Sequence, residues 1–362
     1  MKLELPGVDS GQRPFFSICV PQYNRTSFLI EACRKLTKQT CLDFELCISD
    51  DCSTDGRSDE LQTFLRESGL SYVYKRLEKN VRYDANLRSS ISLASGRYCF
   101  LMGNDDCLAD HDVLSKMRTA LLEHPTTGVA VTNYEEHSDG RIYRRVRRAG
   151  CAGSGPQVAA SCFRNFAFVS GVVVRRDRAQ AHATGAWDGS EMYQMYLACR
   201  IIAEGHDLLG LEEVAVRKGI SVCGESVDSY ATRPKLDGCA ITERNIPLGQ
   251  MGRVVFDAVR PYAGGQQAQL ATRVFLQILL FTYPFWIVEY RRVQSWRFAA
   301  GICLGMRPRN LVRQVDLPVH YGLLVRMVYL AVTCAGLLAP IELFNAWQPK
   351  LHAIAKSAFQ RA

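Results

Sequence analysis

The sequence predicts an α/β fold: a mostly parallel sheet flanked by helices, followed by a helical C-terminal region. Three observations carry this reading. Apolar runs of strand length alternate with segments of helical spacing through the first 135 residues, polar turn-prone clusters follow three of those runs, and from about Thr272 long apolar stretches broken by arginines take over. Strand, helix, strand, repeated four times, gives right-handed crossovers and parallel neighbours covered on both faces.

The strand-length runs are Phe16–Val20, Phe44–Ser49, Tyr72–Tyr74, Tyr98–Met102 and Val129–Thr132. Between them Phe28–Lys38, Asp59–Glu67, Asp84–Ala94 and Val113–Glu123 have helical spacing. "EEHSDGRIYRRVRR" reads as a hairpin turning at Asp139-Gly140. Gly150–Pro156 reads as a flexible glycine-rich loop, Phe166–Arg176 as a further strand and Glu191–Glu204 as a helix. No internal repeat is visible.

A chain of 362 residues, 48% hydrophobic and 22% charged, is enough for one large or two smaller cores. Its net charge of +8 favours an anionic partner, a nucleotide or a phospholipid surface. The basic residues are not interleaved with any nucleic-acid module, so no nucleic-acid partner is expected. Fourteen cysteines without a CxxC pair read as buried thiols of a reducing compartment. The opening "MKLELPGVDSGQRP" lacks an apolar h-region, so no secretory signal is expected and the chain should stay in the cytoplasm.

In a parallel sheet, ligands bind where the strands end at their carboxyl side. Here the first strand ends in "PQYNR" (Pro21–Arg25), the second in "SDDCSTDG" (Ser49–Gly56) and the fourth in "GNDD" (Gly103–Asp106). Adjacent carboxylates at a strand end suit a hard divalent cation shared with substrate phosphates. The same acids, with Asp110 and Asp112, also suit the N-terminus of the following helix. Asp50 can accept hydrogen bonds from a base or a ribose, and Arg82 in "NVRYDAN" can pair with phosphate.

"SICVPQYNR", "LCISDDCSTDG", "NVRYDANLRSSISLASGRYCFLMGNDDCL" and "DGSEMYQMYLACRIIAEG" together resemble glycosyltransferase family 2, the inverting GT-A (Rossmann-like) transferases of bacterial surface-polysaccharide type. The resemblance covers roughly residues 14–220. It implies a nucleoside-diphosphate sugar donor, a UDP-sugar foremost, held by Pro21, Tyr23, Asn24, Arg25, Asp50, Asp51, Arg82, Asn104 and Asp105, with Tyr23 stacking on or near the base. Asn104-Asp105-Asp106 would stand for the DxD motif, with Asp106, assisted by Asp105, holding Mn²⁺ or Mg²⁺; Asn104 in the first place departs from the pattern. The catalytic base would be Glu191, with Asp188 as its rival. Met102, Gly103, Ser170 and Trp187 are placed to shape the sugar pocket. A catalytically silent nucleotide-sugar or membrane-surface binding protein is the alternative.

The expected organisation is a GT-A catalytic domain over 1–230, with a nucleotide-sugar half about 14–135 and an acceptor half about 136–230, then a linker or helical segment 231–271 and an amphipathic region 272–362. Val274–Val288 and Met327–Ile341 are uncharged, and Pro284 should break the first. Between Arg291 and Arg326 stand seven arginines and one acid, Asp316. With Trp286, Trp296, Tyr321 and Trp347, this reads as helices lying in an anionic membrane interface; buried helices and true spans are the other readings. The chain is thus expected to be peripheral on the cytoplasmic face of the inner membrane, with a saccharide or a polyprenyl-diphosphate-linked acceptor.

Overall fold

The computed structural model describes residues 13–226, 247–293, 295–311, 315–344, 346, 347 and 350. Part of the expected 231–271 segment and the end of the C-terminal region therefore lie outside the described residues. The chain divides into two compact units, 1–155 with 165–234, and 156–164 with 235–362.

The first unit alternates as expected: β1 (Phe16–Gln22), α1 (Thr26–Leu36), β2 (Phe44–Asp50), α2 (Ser58–Glu67), β3 (Tyr72–Arg76), α3 (Arg82–Ser92), β4 (Tyr98–Leu101), β5 (Cys107–Leu108), α4 (Val113–Glu123) and β6 (Thr127–Glu136). Then come β7 (Ile142–Tyr143), β8 (Gly150–Cys151), and, after a helix of the other unit (α5, Pro156–Cys162), β9 (Val172–Arg175), α6 (Arg176–Ala181), α7 (Tyr193–Ala203) and β10 (Asp207–Lys218). All ten strands form one sheet, with order β3-β2-β1-β4-β9-β6-β10-β5, β7 on β6 and β8 on β10. β3, β2, β1 and β4 are parallel to one another, as are β6 and β10; β9 runs antiparallel between the two groups.

Strand alternation decides what each face carries. Phe16, Ile18, Val20, Leu46, Ile48, Phe100 and Met102 enter one core with Phe28 and Leu29 of α1, Leu61 and Leu65 of α2, and Leu114 and Met117 of α4. The intervening positions include Cys19, Cys47 and Ser49, and the Ser49 hydroxyl bonds the Ser89 hydroxyl of α3 at 2.8 Å. α3 thus covers the opposite face. Every described cysteine is a free thiol.

The short elements β5, β8, α5 and α6 were not expected, and two longer ones differ from expectation. The run expected as a strand from Phe166 enters the sheet only at Val172. Before it, the buried Arg145 guanidinium collects the carbonyls of Asn165, Phe168 and Ser170, together with that of Thr132, so those acceptors leave the ladder. Burial without a carboxylate partner lowers the Arg145 pKa to about 10. β10 was not expected at all. Glu212-Glu213 break its apolar pattern, and the ladder to β6 is irregular between Gly210 and Val214.

The second unit is helical: α5, α8 (Pro247–Val259), α9 (Gln267–Phe281), α10 (Tyr283–Val293), α11 (Trp296–Gly305), α12 (Pro308–Leu311) and α13 (Val319–Leu338). Helix α5 belongs here because the Gln277 amide donates to its Ala160 carbonyl and the Arg164 guanidinium lies 4.1 Å from the Phe281 ring centre. The chain breaks between α9 and α10, one residue before Pro284 enters the first turn of the new helix. Among the described residues two helical runs are, by length and composition, apolar enough to cross a membrane; the most apolar window of Gly264–Arg292 is 61% buried within the protein, that of Val319–Leu338 only 17%.

Gly96 sets the entry to β4. Its N–H reaches the Ser17 hydroxyl at 2.9 Å, and a Cβ there would lie 2.7 Å from that oxygen and 2.9 Å from the Phe16 carbonyl carbon. Gly96→Ala should cost about 1–3 kcal/mol through overpacking, measured by urea unfolding.

Candidate active site

The loops after β1, β2 and β4 meet at the carboxyl edge of the sheet, and buried polar side chains lace them together. Gln22, at the end of β1, donates to the Asn24 carbonyl at 2.6 Å and accepts from the Asn104 amide at 2.8 Å. The same Asn104 nitrogen lies 3.3 Å from the Tyr23 and Asn24 carbonyls. Three oxygens surround one amide, so a carboxylate in this place would face only acceptors. That gives a physical reason for asparagine at the first position of the motif. Asn24 in turn takes the Thr54 N–H on its side-chain oxygen at 2.7 Å and gives its own N–H to the Ser53 hydroxyl at 2.8 Å.

The two aspartates after β2 are buried and hold protein groups. Asp50 accepts the Ser53 N–H at 2.8 Å on one oxygen, and the Tyr74 hydroxyl at 2.6 Å and Arg76 at 3.4 Å on the other. Asp51 accepts the N–H groups of Val81 at 2.6 Å and Arg82 at 2.9 Å, which anchors the start of α3. Burial raises the Asp51 pKa, and those two N–H groups pull it back. Arg82 itself is exposed, as is Tyr23, while Pro21 is buried in the β1 ladder.

At the end of β4 the acids diverge in partner and converge in position. Asp105 pairs with Arg25 at 2.8 Å. Asp106 is enclosed; one oxygen takes the Ser170 hydroxyl at 2.5 Å and the other the Gly219 N–H at 2.9 Å. Burial first, and the neighbouring Asp105 charge second, push Asp106 up to about 7. A Cβ on Gly103 would lie 2.8 Å from an Asp106 oxygen, 3.3 Å from an Asp105 oxygen and 3.4 Å from the Ser170 hydroxyl. One spot is thus ringed by three hard oxygens, two of them acidic. Among the described residues no group of three or more His, Cys, Asp or Glu side chains is placed to hold a metal.

The start of α7 is fastened by Asp84, which sequence reading passed over as an ordinary helix residue. Its carboxylate is 1% exposed and accepts the N–H groups of Gly189 at 2.8 Å, Glu191 at 2.8 Å and Tyr193 at 3.0 Å. Glu191 has an exposed side chain on a left-handed backbone, φ 60°. Asp188 is tied in a fork to Arg88 at 2.5 and 2.7 Å. Tyr83 donates its hydroxyl to the Gln194 side chain of α7 at 3.1 Å, and its phenol pKa is raised by burial first and then by the charges of Asp84, Glu191 and Asp106. Tyr83 and Asp84 carry no signal of their own in the sequence beyond adjacency to Arg82.

Backbone strain collects in the same loops. Among the described residues six non-glycines have left-handed φ, and Asn24, Arg25, Cys52, Arg82 and Glu191 are five of them. Such positions cost about 1–3 kcal/mol each and cluster at functional sites.

The family model of Glycosyl transferase family 2 matches residues 17–184. That match takes in 168 of the 362 residues, a little under half of the chain. The abequosyltransferase RfbV of Salmonella typhimurium is 38% identical over 107 residues, 29% of this chain and 32% of that protein. A PGL/p-HBAD biosynthesis glycosyltransferase of Mycobacterium tuberculosis is 32% identical over 111 residues, 31% of this chain and 43% of that one. The aligned part thus spans less than half the length of either relative. In fold, the chain is similar to S. aureus TarS, solved in complex with UDP-GlcNAc: TM-score 0.59 at 14% identity, over 88% of this chain and 90% of that one. The strands β2 to β9 and the acids Asp50, Asp51, Asp84, Asp105 and Asp106 lie within the family 2 match, which begins one residue inside β1 and ends before Asp188 and Glu191.

Asp84→Ala would leave three backbone donors without an acceptor, at about 1–3 kcal/mol for each one buried. A loss on the order of 3 kcal/mol in urea unfolding is expected, with Asp84→Asn intermediate.

Proposed function

We propose that the chain is a metal-dependent inverting glycosyltransferase. It moves a sugar from a nucleoside-diphosphate sugar, a UDP-sugar foremost, to a hydroxyl of a saccharide acceptor carried on a polyprenyl diphosphate at the cytoplasmic face of the inner membrane, in surface-polysaccharide synthesis. The observation that carries this reading is the convergence of the Asp105 and Asp106 carboxylates and the Ser170 hydroxyl beside Gly103, at the carboxyl end of β4. The UDP and UDP-GlcNAc complexes of TarS and the glycosyltransferase names of the relatives lend support.

The residues fit a hard cation. Mn²⁺ and Mg²⁺ take oxygen ligands, and Mg²⁺ usually takes only one or two carboxylates from the protein and the rest from phosphate and water. Asp106 and Asp105 would hold it. When bound, the ion supplies a Lewis acid that neutralises charge on the departing diphosphate. Arg82, exposed at the N-terminus of α3, adds positive charge toward the same group. Asp50 and Asp51 act one step back: they hold the Ser53 loop and the start of α3 in the shape that meets the donor. Tyr23 offers an exposed ring to the base, and Pro21, Asn24 and Arg25 shape the loop beside it.

Inversion needs a base opposite the leaving group to take the acceptor's proton. Glu191 suits this better than Asp188, whose two oxygens are both given to Arg88. Asp84 fixes the Glu191 backbone and leaves its side chain exposed.

Thermal shift with UDP-, GDP-, dTDP- and CDP-sugars in Mn²⁺ identifies the donor, and release of free nucleoside diphosphate with and without EDTA reads turnover. Glu191→Gln should keep donor binding and slow transfer by about 10²–10⁴-fold; wild-type turnover in that variant would move the base elsewhere. Asp106→Ala should abolish the Mn²⁺-dependent part of the donor shift. Donor binding without turnover on any lipid-linked acceptor would favour a silent binding protein.

A further inference from the structure

Helix α13 runs 20 residues, VHYGLLVRMVYLAVTCAGLL, with one charged residue, Arg326. A helix apolar all round belongs inside a core or a membrane. Yet among its residues only Val325, Tyr329 and Gly336 are buried. That narrow stripe is tightly held. The Tyr329 hydroxyl donates to the Cys303 carbonyl at 2.6 Å, the Tyr283 and Thr333 hydroxyls meet at 2.8 Å, and Gly336 lies against Ile287, where a Cβ would come within 2.9 Å. The outer side is bare: Leu323 is 55% exposed, Met327 60%, Leu330 58% and Leu338 75%. Exposed apolar surface of this extent marks an interaction face.

The surroundings identify what covers it. Arg291 donates to the Gly336 and Ala339 carbonyls at 2.7 and 2.8 Å, which puts a cation at the C-terminal end of α13. Trp296, 54% exposed, donates its indole N–H to the Leu337 carbonyl at 3.2 Å, and the exposed Arg297 follows it. Arg326 is exposed on the helix itself. A long apolar strip edged by tryptophan and arginine, in a segment with seven arginines to one acid between Arg291 and Arg326, matches hydrocarbon bordered by anionic headgroups.

We infer that the exposed side of α13 docks flat on an anionic lipid membrane, with Leu323, Met327 and Leu330 entering the acyl boundary and Arg297 and Arg326 meeting lipid phosphates. The packing of α13 on α9, α10 and α11 argues for lying on the surface, since spanning would strip those contacts. The run Gly264–Arg292, largely buried, serves as the platform beneath. This deepens the reading of a lipid-linked acceptor and rests on it only for its biological sense.

The test is co-sedimentation of the full chain with phosphatidylcholine vesicles, with and without phosphatidylglycerol, in low and high salt and without donor or acceptor. Binding only to the anionic vesicles, weakened by salt, is expected. Arg297→Gln with Arg326→Gln should weaken it about 25-fold, roughly fivefold for each charge. Leu323→Glu with Met327→Glu should weaken it at least about tenfold. Both double variants should keep the wild-type thermal midpoint and donor-induced shift, because the changed side chains are exposed. Equal binding to neutral vesicles, or dimerisation through α13 with no vesicle binding, overturns the inference. So does retention in membranes after alkaline carbonate, the mark of a span. Because no turnover is measured, failure here leaves the transfer reading standing, and an inactive chain that binds vesicles leaves this one standing.

Discussion

Buried carboxylates that grip backbone N–H groups hold the active edge of this protein in place. Asp51 takes two such groups at the start of α3, Asp84 three at the start of α7, and Asp50 one at Ser53. Each anion sits where a helix or turn begins, so its charge meets unpaired donors and the positive end of a dipole. A carboxylate is costly to bury and is tolerated here because its partners are fixed before any ligand arrives. The loops at this edge are shaped by acids that themselves stay inside.

Asp105 and Asp106 differ from those acids. Asp105 has an arginine at 2.8 Å, whereas Asp106 has a hydroxyl and one backbone N–H. Two adjacent carboxyls, one of them enclosed, cannot both carry charge cheaply. At the end of β4 the Arg25 guanidinium offsets the Asp105 charge and Lys218 acts at longer range on Asp106, so the enclosed Asp106 carboxyl is the one that burial holds above the usual carboxylate range.

Much of this was legible in the sequence. The alternation of apolar runs and helical segments through residue 135 predicts β1 to β4 and α1 to α4, because β1, β2 and β4 are buried on both faces and each helix on one. The acidic clusters were visible because they interrupt that pattern. What could not be read is which acids face inward. Asp50, Asp51 and Asp84 are distinguished from surface acids only by tertiary partners 3 to 109 residues away. β10 was hidden by Glu212-Glu213, polar residues at an irregularity in its ladder, and α5 of the second unit starts at Pro156, the last residue of the passage that reads as loop. Asn104 looked like a defect in a metal motif until its amide was seen among three acceptor oxygens.

The strained residues tie the frame to the chemistry. Asn24, Arg25, Cys52, Arg82 and Glu191 adopt a backbone that glycine would take at lower cost. Glycine at Arg25 would lose the ion pair with Asp105, and at Arg82 or Glu191 the side chain that serves the proposed reaction. The strain persists because neighbours over-determine it: Asn104 and Gln22 for the first loop, Asp50 for Cys52 and Ser53, Asp51 for Arg82, Asp84 for Glu191. At about 1–3 kcal/mol for each strained residue, five together rival the whole stability of an ordinary domain, about 5–15 kcal/mol. So the buried acids offset the strain while they hold the backbone of Arg82 and Glu191 and leave both side chains exposed.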